Sequence, residues 1–334
     1  MKHFDTPRFL SFAAGVCALT AVLFPEIVLA QAGWKPERAV EIIAGTAPGS
    51  APDRMARVIQ EILRGKSTVP VPTTVVNRPG AGGARAWTYL NEHAGDAHYL
   101  MIAAGNLSVG YLTGTSSLSD RDFTPVCLLA HEYIALSVKA DSPIKDGRDL
   151  LEQLRKDPGS LSLGVSSVAG STTHIGGALV LKTAGVNVKK VRTVVFDSAG
   201  RSMSAMLGGH VDVVAGSMSI SLMQLRTGKT RILGYSAPRR LGGELAQIPT
   251  WREQGIDLEF SNYRGIIGPK GWSPAQVSYW GGVFADIDRD ERWRADLEKN
   301  HLDRDFMHSR ETRKYWDDLG APIRSTLDDL GLLK

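Results

Sequence analysis

Residues 73–85 read TTVVNRPGAGGAR, and they combine a strand pattern, a glycine-rich turn and the start of a helix pattern. A β-branched run at 73–76 predicts a strand, and a segment with helical spacing follows the glycine-rich turn. Such a strand, turn and helix form one βα unit, and glycines in the turn let the backbone approach a ligand closely. Nucleotide phosphates are the usual ligands of this kind of turn.

The same alternation of short apolar runs and helix-spaced segments continues on both sides of this unit. Strands are predicted at residues 40–44, 73–76, 99–103, 133–139, 160–166, 191–196, 211–215 and 231–236. Helices are predicted at residues 52–64, 84–92, 149–155, 174–183, 202–207 and 219–226. After residue 249 the chain changes to a β-like run at 258–268 and a charged, helical tail. The pattern predicts an α/β fold with mostly parallel sheets, in which ligands bind at the carboxyl ends of the strands.

The first 30 residues predict a secretory signal peptide. Lys2 and Arg8 form a short basic region, residues 9–24 are apolar, and small residues precede a cleavage point after Ala30. The apolar run is shorter than the ~20 residues of a membrane helix. Cys17 raises the alternative of a lipid anchor, which we disfavour because the preceding Val16 is larger than such a site prefers. The sequence therefore predicts export to the periplasm.

The composition limits the classes of partner that the mature protein can bind. The chain has 334 residues and a net charge of +4, and its Lys and Arg residues do not cluster. Nucleic acid is therefore a poor candidate partner, whereas a small anionic ligand is compatible with the charge. The length predicts two domains of about 150 residues. Beyond the signal peptide Cys127 is the one cysteine, so no intramolecular disulfide can form and a small buried hydrophobe is predicted.

The glycine turn does not have the spacing of a nucleotide loop. Gly80 and Gly82 begin a dinucleotide fingerprint, but Arg85 stands where its last Gly or Ala is needed. The two GK[ST] sequences, at 65–67 and 228–230, lack the Gly that a P-loop has six positions before its Lys. The turn is therefore predicted to bind something other than a nucleotide.

Three loops at predicted strand ends share Gly, Ser, Thr and Ala and few titratable groups. They are residues 46–53 (TAPGSAPD), 77–83 (NRPGAGG) and 166–174 (SSVAGSTTH). Hydroxyls and free N–H groups at helix starts suit a carboxylate. The first loop ends in a capping-box pattern from Ser50 to Asp53, so an anion site and an ordinary capped helix are both open readings. Asp53 fits a cap better than a ligand contact, and His174 fits a packed or surface histidine better than a ligand contact.

Patterns of catalytic residues are poor. Ser166 has Val168 where a nucleophile elbow needs Gly, and His131-Glu132 is followed by Ala135 where a zinc motif needs His. No close pair of acidic residues in a strand-end loop suggests acid–base catalysis. We therefore predict that the protein is not an enzyme and uses no cofactor and no metal.

These motifs resemble the periplasmic substrate-binding receptors of tripartite tricarboxylate transporters, often called Bug proteins. The most specific match is NRPGAGG at 77–83, and similar motifs occur at 48–57, 122–126, 157–161, 166–174, 196–212, 248–255, 263–265 and 329–332. The resemblance covers essentially the whole mature chain. It implies a two-lobed periplasmic-binding-protein fold of the Venus flytrap type (type II-like), with lobe 1 at 33–131 and 250–334 and lobe 2 at 132–249.

The resemblance also implies which residues bind the ligand. In the family the first two loops hold one carboxylate through backbone groups and bridging waters, and loops from other strand ends complete the site. Carried over, the ligand-binding residues are Ala47, Gly49, Ser50, Asp53, Gly80, Ala81, Gly82, Asn106, Ser166, Ser167, Gly170, Ser171, Thr172, Phe196, Asp197 and Ser198. Ser50 departs from the family's Gly. Arg201 stands where the family has a small or acidic residue, and we favour a position on the helix surface over a contact with a second ligand carboxylate.

The predicted function is therefore that of a monomeric periplasmic receptor. It would bind a di- or tricarboxylate, or a related organic acid, and deliver it by lobe closure to the permease subunits of a tripartite tricarboxylate transporter. A periplasmic sensor acting on a signalling partner is an alternative, and its response would survive deletion of the permease. A hydrolase with a two-lobed cleft is a weaker alternative, and chemical change of a bound carboxylate would support it.

Overall fold

Alternating apolar runs and amphipathic segments fold into ten strands and ten α-helices within the part of the chain that is described. The computed structural model describes residue 1, residues 33–64 and residues 69–334, and Trp34–Lys334 forms one compact unit. The strands are β1 (Val40–Ala44), β2 (Thr73–Asn77), β3 (Tyr99–Ala104), β4 (Phe123–Lys139), β5 (Ser162–Ser166), β6 (Arg192–Phe196), β7 (Val213–Ser217), β8 (Thr230–Tyr235), β9 (Ser261–Pro269) and β10 (Asp303–His308). The predicted signal peptide lies outside the described residues apart from Met1.

The helices alternate with the strands in the first two thirds of the chain and dominate the end. They are α1 (Ala51–Arg64), α2 (Ala84–Asn91), α3 (Asn106–Leu112), α4 (Gly147–Lys156), α5 (Thr172–Thr183), α6 (Ala199–Leu207), α7 (Met218–Leu225), α8 (Pro274–Asp288), α9 (Glu291–Lys299) and α10 (Ser309–Asp329). None of the helices in the described ranges is long and apolar enough to cross a membrane.

Every predicted strand and helix is present, and the differences have physical reasons. Strand β4 begins at Phe123, ten residues before the predicted start at 133, because its apolar run continues back through Cys127, which is fully buried. Helix α3 was not predicted because it is short and has no side-chain cap. Strand β10 was not predicted because its charged sequence, DRDFMH, lacks apolar alternation and acquires strand geometry by pairing with β4.

Two sets of strands share β4. The strand order is β2-β1-β3-β9-β4-β7-β5-β6, with β8 and β10 also paired to β4. Parallel pairs join β1 to β2 and β3, and β5 to β6 and β7, as the βα alternation predicts. Each antiparallel pair includes β4 or β9. Residues 123–133 of β4 pair with β9 and residues 134–139 pair with β7 and β8, so β4 passes from one set to the other.

The buried cores show how helices from different parts of the sequence pack on these sets. Helix α1 lies on one face of the first set through Ile59 and Ile62, and α2 lies on the other face through Trp87. The core of the second set contains Val165 of β5 and also Leu327 of α10, together with α3. Helices α3 and α10 therefore pack on the second set although both lie within the residues predicted for lobe 1. The lobe boundaries at 33–131, 132–249 and 250–334 stay a prediction.

Candidate ligand-binding site

The first strand-end loop is held by the side chain of Asp53. The carboxylate is 2% exposed, and its Oδ2 accepts hydrogen bonds from the Gly49 N–H at 2.8 Å and from Arg57 Nε at 3.1 Å. Its Oδ1 accepts from Arg57 Nη2 at 3.0 Å and from Asn77 Nδ2 at 2.9 Å. The Arg57 hydrogen bonds, with help from Gly49 and Asn77, outweigh burial and lower the pKa of Asp53 to about 2. Asp53 is therefore an anion that fixes the loop.

Asn77 links this loop to the glycine turn that follows β2. Its Nδ2 also donates to the Thr46 carbonyl at 3.0 Å, so one amide holds both neighbouring strand ends. In the turn, residues 80–83 all have positive φ, with values of 131° at Gly80 and 47° at Ala81. Side chains rarely adopt the backbone conformation of Gly80, so this position favours Gly. Strained backbone of this kind persists where the surrounding contacts fix it.

The third loop is tied internally and to the end of β6. Ser171 caps α5, and its Oγ donates to the Ser166 carbonyl at 2.8 Å. The Gly170 N–H donates to His174 Nδ1 at 3.0 Å, and Ser167, at φ 80°, donates its N–H to the Phe196 carbonyl at 2.8 Å. His174 is buried, which lowers its pKa to about 4, so its ring is neutral at pH 7. His174 is thus packed, which is one of the two positions, packed or surface-facing, that the sequence favours over a ligand contact.

The loop after β6 is more exposed than the other three. Ser198 caps α6 by accepting the Arg201 N–H at 3.4 Å. Arg201 Nη1 donates to Asp197 Oδ2 at 2.8 Å, and both side chains are exposed. Arg201 therefore lies on the helix surface, the position that the sequence favours.

Gly105, which precedes Asn106, and Thr172 come from different strand sets and approach each other at the carboxyl end of β3. Asn106 begins α3, and the N–H of the preceding Gly105 donates to Asn262 Oδ1 at 3.1 Å. A Cβ on Gly105 would lie 2.6 Å from Thr172 Cγ2. The close approach of the two loops therefore requires Gly at position 105. These contacts bring a predicted ligand loop of the first set against one of the second.

Two buried charged residues beside these loops were missed by sequence reasoning. Glu132 of β4 forms an ion pair with Arg264 of β9, and both side chains are at most 6% exposed. Glu132 Oε1 also accepts a hydrogen bond from Ser219 Oγ at 2.5 Å. A usable signal was present, since each charge interrupts an apolar strand run, in HEYIAL and in YRGII. A charge inside a strand that is paired on both sides needs a partner.

The arrangement suits non-covalent binding of an anion. The starts of α1 and α5 present backbone N–H groups next to small hydroxyls, and the α1 loop keeps its one carboxylate occupied internally. Across residues 33–64 and 69–334, His, Cys, Asp and Glu side chains form no group of three that could hold a metal ion.

Comparison with known sequences gives one family. Residues 55–332 match the family described as "Tripartite tricarboxylate transporter family receptor". A Cupriavidus necator protein, named "UPF0065 protein in gbd 5'region", is 26% identical over 324 residues, which cover 96% of this chain and 97% of that protein.

Comparison with solved structures shows the fold. A TctC solute binding protein from Polaromonas, solved without ligand, superposes with a TM-score of 0.75 at 24% identity, covering 88% of this chain and 99% of that chain. A protein from Rhodopseudomonas palustris, solved with adipate, gives a TM-score of 0.75 at 22% identity, covering 89% and 98%. The chain therefore has the two-lobed α/β fold of periplasmic solute-binding proteins, as the sequence predicts.

Proposed function

The chain belongs to the receptor family of tripartite tricarboxylate transporters, and on that premise we propose that it is a periplasmic receptor for a small carboxylate. The proposed ligand is a di- or tricarboxylate or a related organic acid, which is bound and released without chemical change. The family match over residues 55–332 carries this proposal, because it includes the second and third strand-end loops and the loop after β6.

The proposed grip is formed by backbone N–H groups of residues 47–50 and 80–82 and by bridging waters. What supports it is the link through Asn77, whose Nδ2 contacts both Asp53 at 2.9 Å and the Thr46 carbonyl at 3.0 Å. Because this link fixes the spacing of the two loops before a ligand arrives, little ordering has to accompany binding.

Asp53 is proposed as a positioning residue within this grip. Both of its carboxylate oxygens already accept hydrogen bonds from the protein, so the ligand would contact the N–H groups that Asp53 holds in place. The hydroxyl of Ser50 lies 2.5 Å from that of Thr46, so both side chains stand at the start of α1.

The proposed setting is the periplasm after removal of residues 1–30. There the receptor, as a monomer, would pass its ligand to the membrane permease subunits of the transporter. Support for this setting comes from the family match and from the basic, apolar and small-residue order of the N-terminal sequence.

A thermal-shift titration tests the proposed ligand class. The mature chain is titrated with adipate and, as an uncharged analogue of the same length, with 1,6-hexanediol. A ligand that binds only the native state raises the unfolding temperature, so adipate or another member of a carboxylate panel should raise it and hexanediol should not. Stabilisation by hexanediol to the same extent, or by no carboxylate in the panel, would overturn the proposal.

A pair of variants tests whether the carboxylate binds at the first loop. Ser50→Asp puts a carboxylate beside the proposed grip and should abolish the thermal shift through like-charge repulsion. Ser278→Asp, at an exposed position of α8, adds the same charge away from the two loops and should leave the shift unchanged.

A further inference from the structure

A polar face lies on the two long strands at the point where β4 passes from one strand set to the other. In register, Glu132 of β4 stands opposite Asn262 of β9, and Arg264 lies two residues further along β9. Strand side chains alternate between faces, so these three residues share one face. We call Glu132, Asn262 and Arg264 the polar face.

Loops from both strand sets border this polar face. Asn262 Oδ1 accepts the N–H of Gly105 at the end of β3, and Thr172 at the start of α5 touches Gly105. Ser219, in the first turn of α7, donates to Glu132 at 2.5 Å. The N-termini of α5 and α7 therefore both adjoin the polar face, and helix N-termini favour negative charge.

Arg264 carries an unused hydrogen-bond donor on this face. Its Nη1 donates to the carbonyls of Asn262 at 3.3 Å and Tyr263 at 3.2 Å, and its Nη2 is paired with Glu132. The residue is only 5% exposed, and its Nε is buried without a hydrogen-bond partner. Within residues 33–64 and 69–334 Arg264 is the one buried Lys or Arg. Buried charged donors rarely stay unpaired, so this atom points to a missing acceptor.

We propose that Arg264 binds the second carboxylate of a linear dicarboxylate, while the loops at the ends of β1 and β2 bind the first. The inference rests on the proposed function and narrows its ligand class. Glu132 is the counter-charge that holds the guanidinium in place when that second carboxylate is absent. A ligand with one carboxylate would satisfy the loops and leave Arg264 Nε without an acceptor.

Isothermal titration of the mature chain with matched acids tests this inference. Succinate is compared with butyrate and adipate with hexanoate, so each pair differs in one carboxylate. The wild type should bind the diacid of at least one pair ~10–100-fold more tightly, the range expected for charge-assisted hydrogen bonds. Arg264→Met should bring that ratio close to one by weakening the diacid alone. Arg289→Met, which removes an exposed arginine, should leave both affinities unchanged.

Glu132→Gln gives an independent readout because it keeps Arg264 and removes its counter-charge. It should widen the preference for the diacid, since the guanidinium then has no competing carboxylate. If Arg264→Met does not fold, as judged by far-ultraviolet circular dichroism, this second variant decides.

The outcomes separate this inference from the proposed function. The inference is overturned if Arg264→Met lowers the affinity for the mono- and the diacid equally, or if Glu132→Gln leaves the preference for the diacid unchanged or smaller. The ion pair of Glu132 and Arg264 would then have a structural role only. Equal binding of mono- and diacids by the wild type overturns it too and leaves the carboxylate receptor standing. Binding of none of these acids or of a wider carboxylate panel removes the proposed function, and the inference with it.

Discussion

Helices α1 and α5 begin in the same way but are fastened by different kinds of side chain. In both, a glycine with positive φ (80° at Gly49 and 77° at Gly170) donates its N–H to the side chain four residues later. At α1 the acceptor is the ionised carboxylate of Asp53, and at α5 it is the neutral ring of His174. The same hydrogen-bonding arrangement is thus made by an ionised side chain at the start of α1 and by a buried neutral one at the start of α5.

The surroundings explain the difference. Asp53 is reached by Arg57 and Asn77, and a Cβ on Gly49 would meet no atom within 4 Å, so this loop is open. Gly170 is covered by Thr113, Leu327 and Leu332, whose atoms would lie 3.0–3.7 Å from its Cβ. The open Gly49 leaves its surroundings accessible to a ligand, whereas Gly170 packs against the core that α10 completes, although Ser167, Val168 and Ala169 before it are exposed. Two helix starts with the same backbone geometry can therefore differ in how much space surrounds the glycine that precedes them.

Removing the charged acceptor should have the largest effect on stability. Asp53→Ala leaves the Gly49 N–H, Asn77 and Arg57 without their acceptor, so the free energy of unfolding should fall by about 3–4 kcal/mol. Urea denaturation measures the change. Asp149 accepts the Lys145 N–H in the same i to i+4 arrangement but is exposed, so Asp149→Ala should lower the free energy by less than about 1 kcal/mol. Equal losses would mean that burial of Asp53 adds nothing.

The neutral acceptor should make stability depend on pH in a window where Asp53 stays ionised. Burial lowers the pKa of His174 from 6.5 to about 4, so the unfolded chain binds more protons than the folded one between these values. Its contribution is complete above pH 6.5 and is lost as the pH falls to about 4, by up to roughly 3 kcal/mol. Urea midpoints at pH 7, 5.5 and 4.5 measure this slope.

Two histidine variants isolate that contribution. His174→Gln removes the titrating ring and should flatten the slope, although it lowers stability at pH 7. His210→Gln replaces an exposed histidine and should leave the slope as in the wild type. A wild-type slope in His174→Gln would show that other groups govern this pH range.

Alanine at Gly49 and at Gly170 tests whether the two glycines differ in how closely other residues surround them. Both substitutions place a Cβ at positive φ, which costs about 1 kcal/mol. Gly170→Ala also pushes the new methyl group against Thr113 and Leu327 at 3.0 and 3.2 Å, so a total of about 2 kcal/mol is expected. Thermal unfolding of the two variants measures the difference. Equal losses would contradict the assignment of an open Gly49 and a covered Gly170.

The sequence predicted local structure well and long-range pairing poorly. The strands and helices of the βα units followed from periodicity, and the NRPGAGG turn was placed at a strand end because glycine and β-branched residues act within a few positions. The partners of Asp53 at Asn77, of Gly105 at Asn262 and of Glu132 at Arg264 lie far away in the chain. Such contacts depend on strand order and register, which a residue pattern does not specify.

The smallest expected effect comes from the partly exposed partner of Asp53. Arg57→Ala removes the main cause of the lowered Asp53 pKa, so the folded pKa should rise towards its usual 3.8. A lowered carboxyl pKa stabilises the folded state above the unfolded pKa, so Arg57→Ala should be slightly less stable than the wild type at pH 7, and by less than Asp53→Ala. The free energies of unfolding of the wild type and the variant should converge as the pH falls from 3.8 to about 2. Urea denaturation at pH 7 and at pH 3 measures this change.

Arg201 and Asp197 form the same i to i+4 pair with both partners exposed, so Arg201→Ala should show no measurable change at either pH. A difference between wild type and Arg57→Ala that persists at low pH would mean that Arg57 acts through packing of its side chain and not through the charge of Asp53.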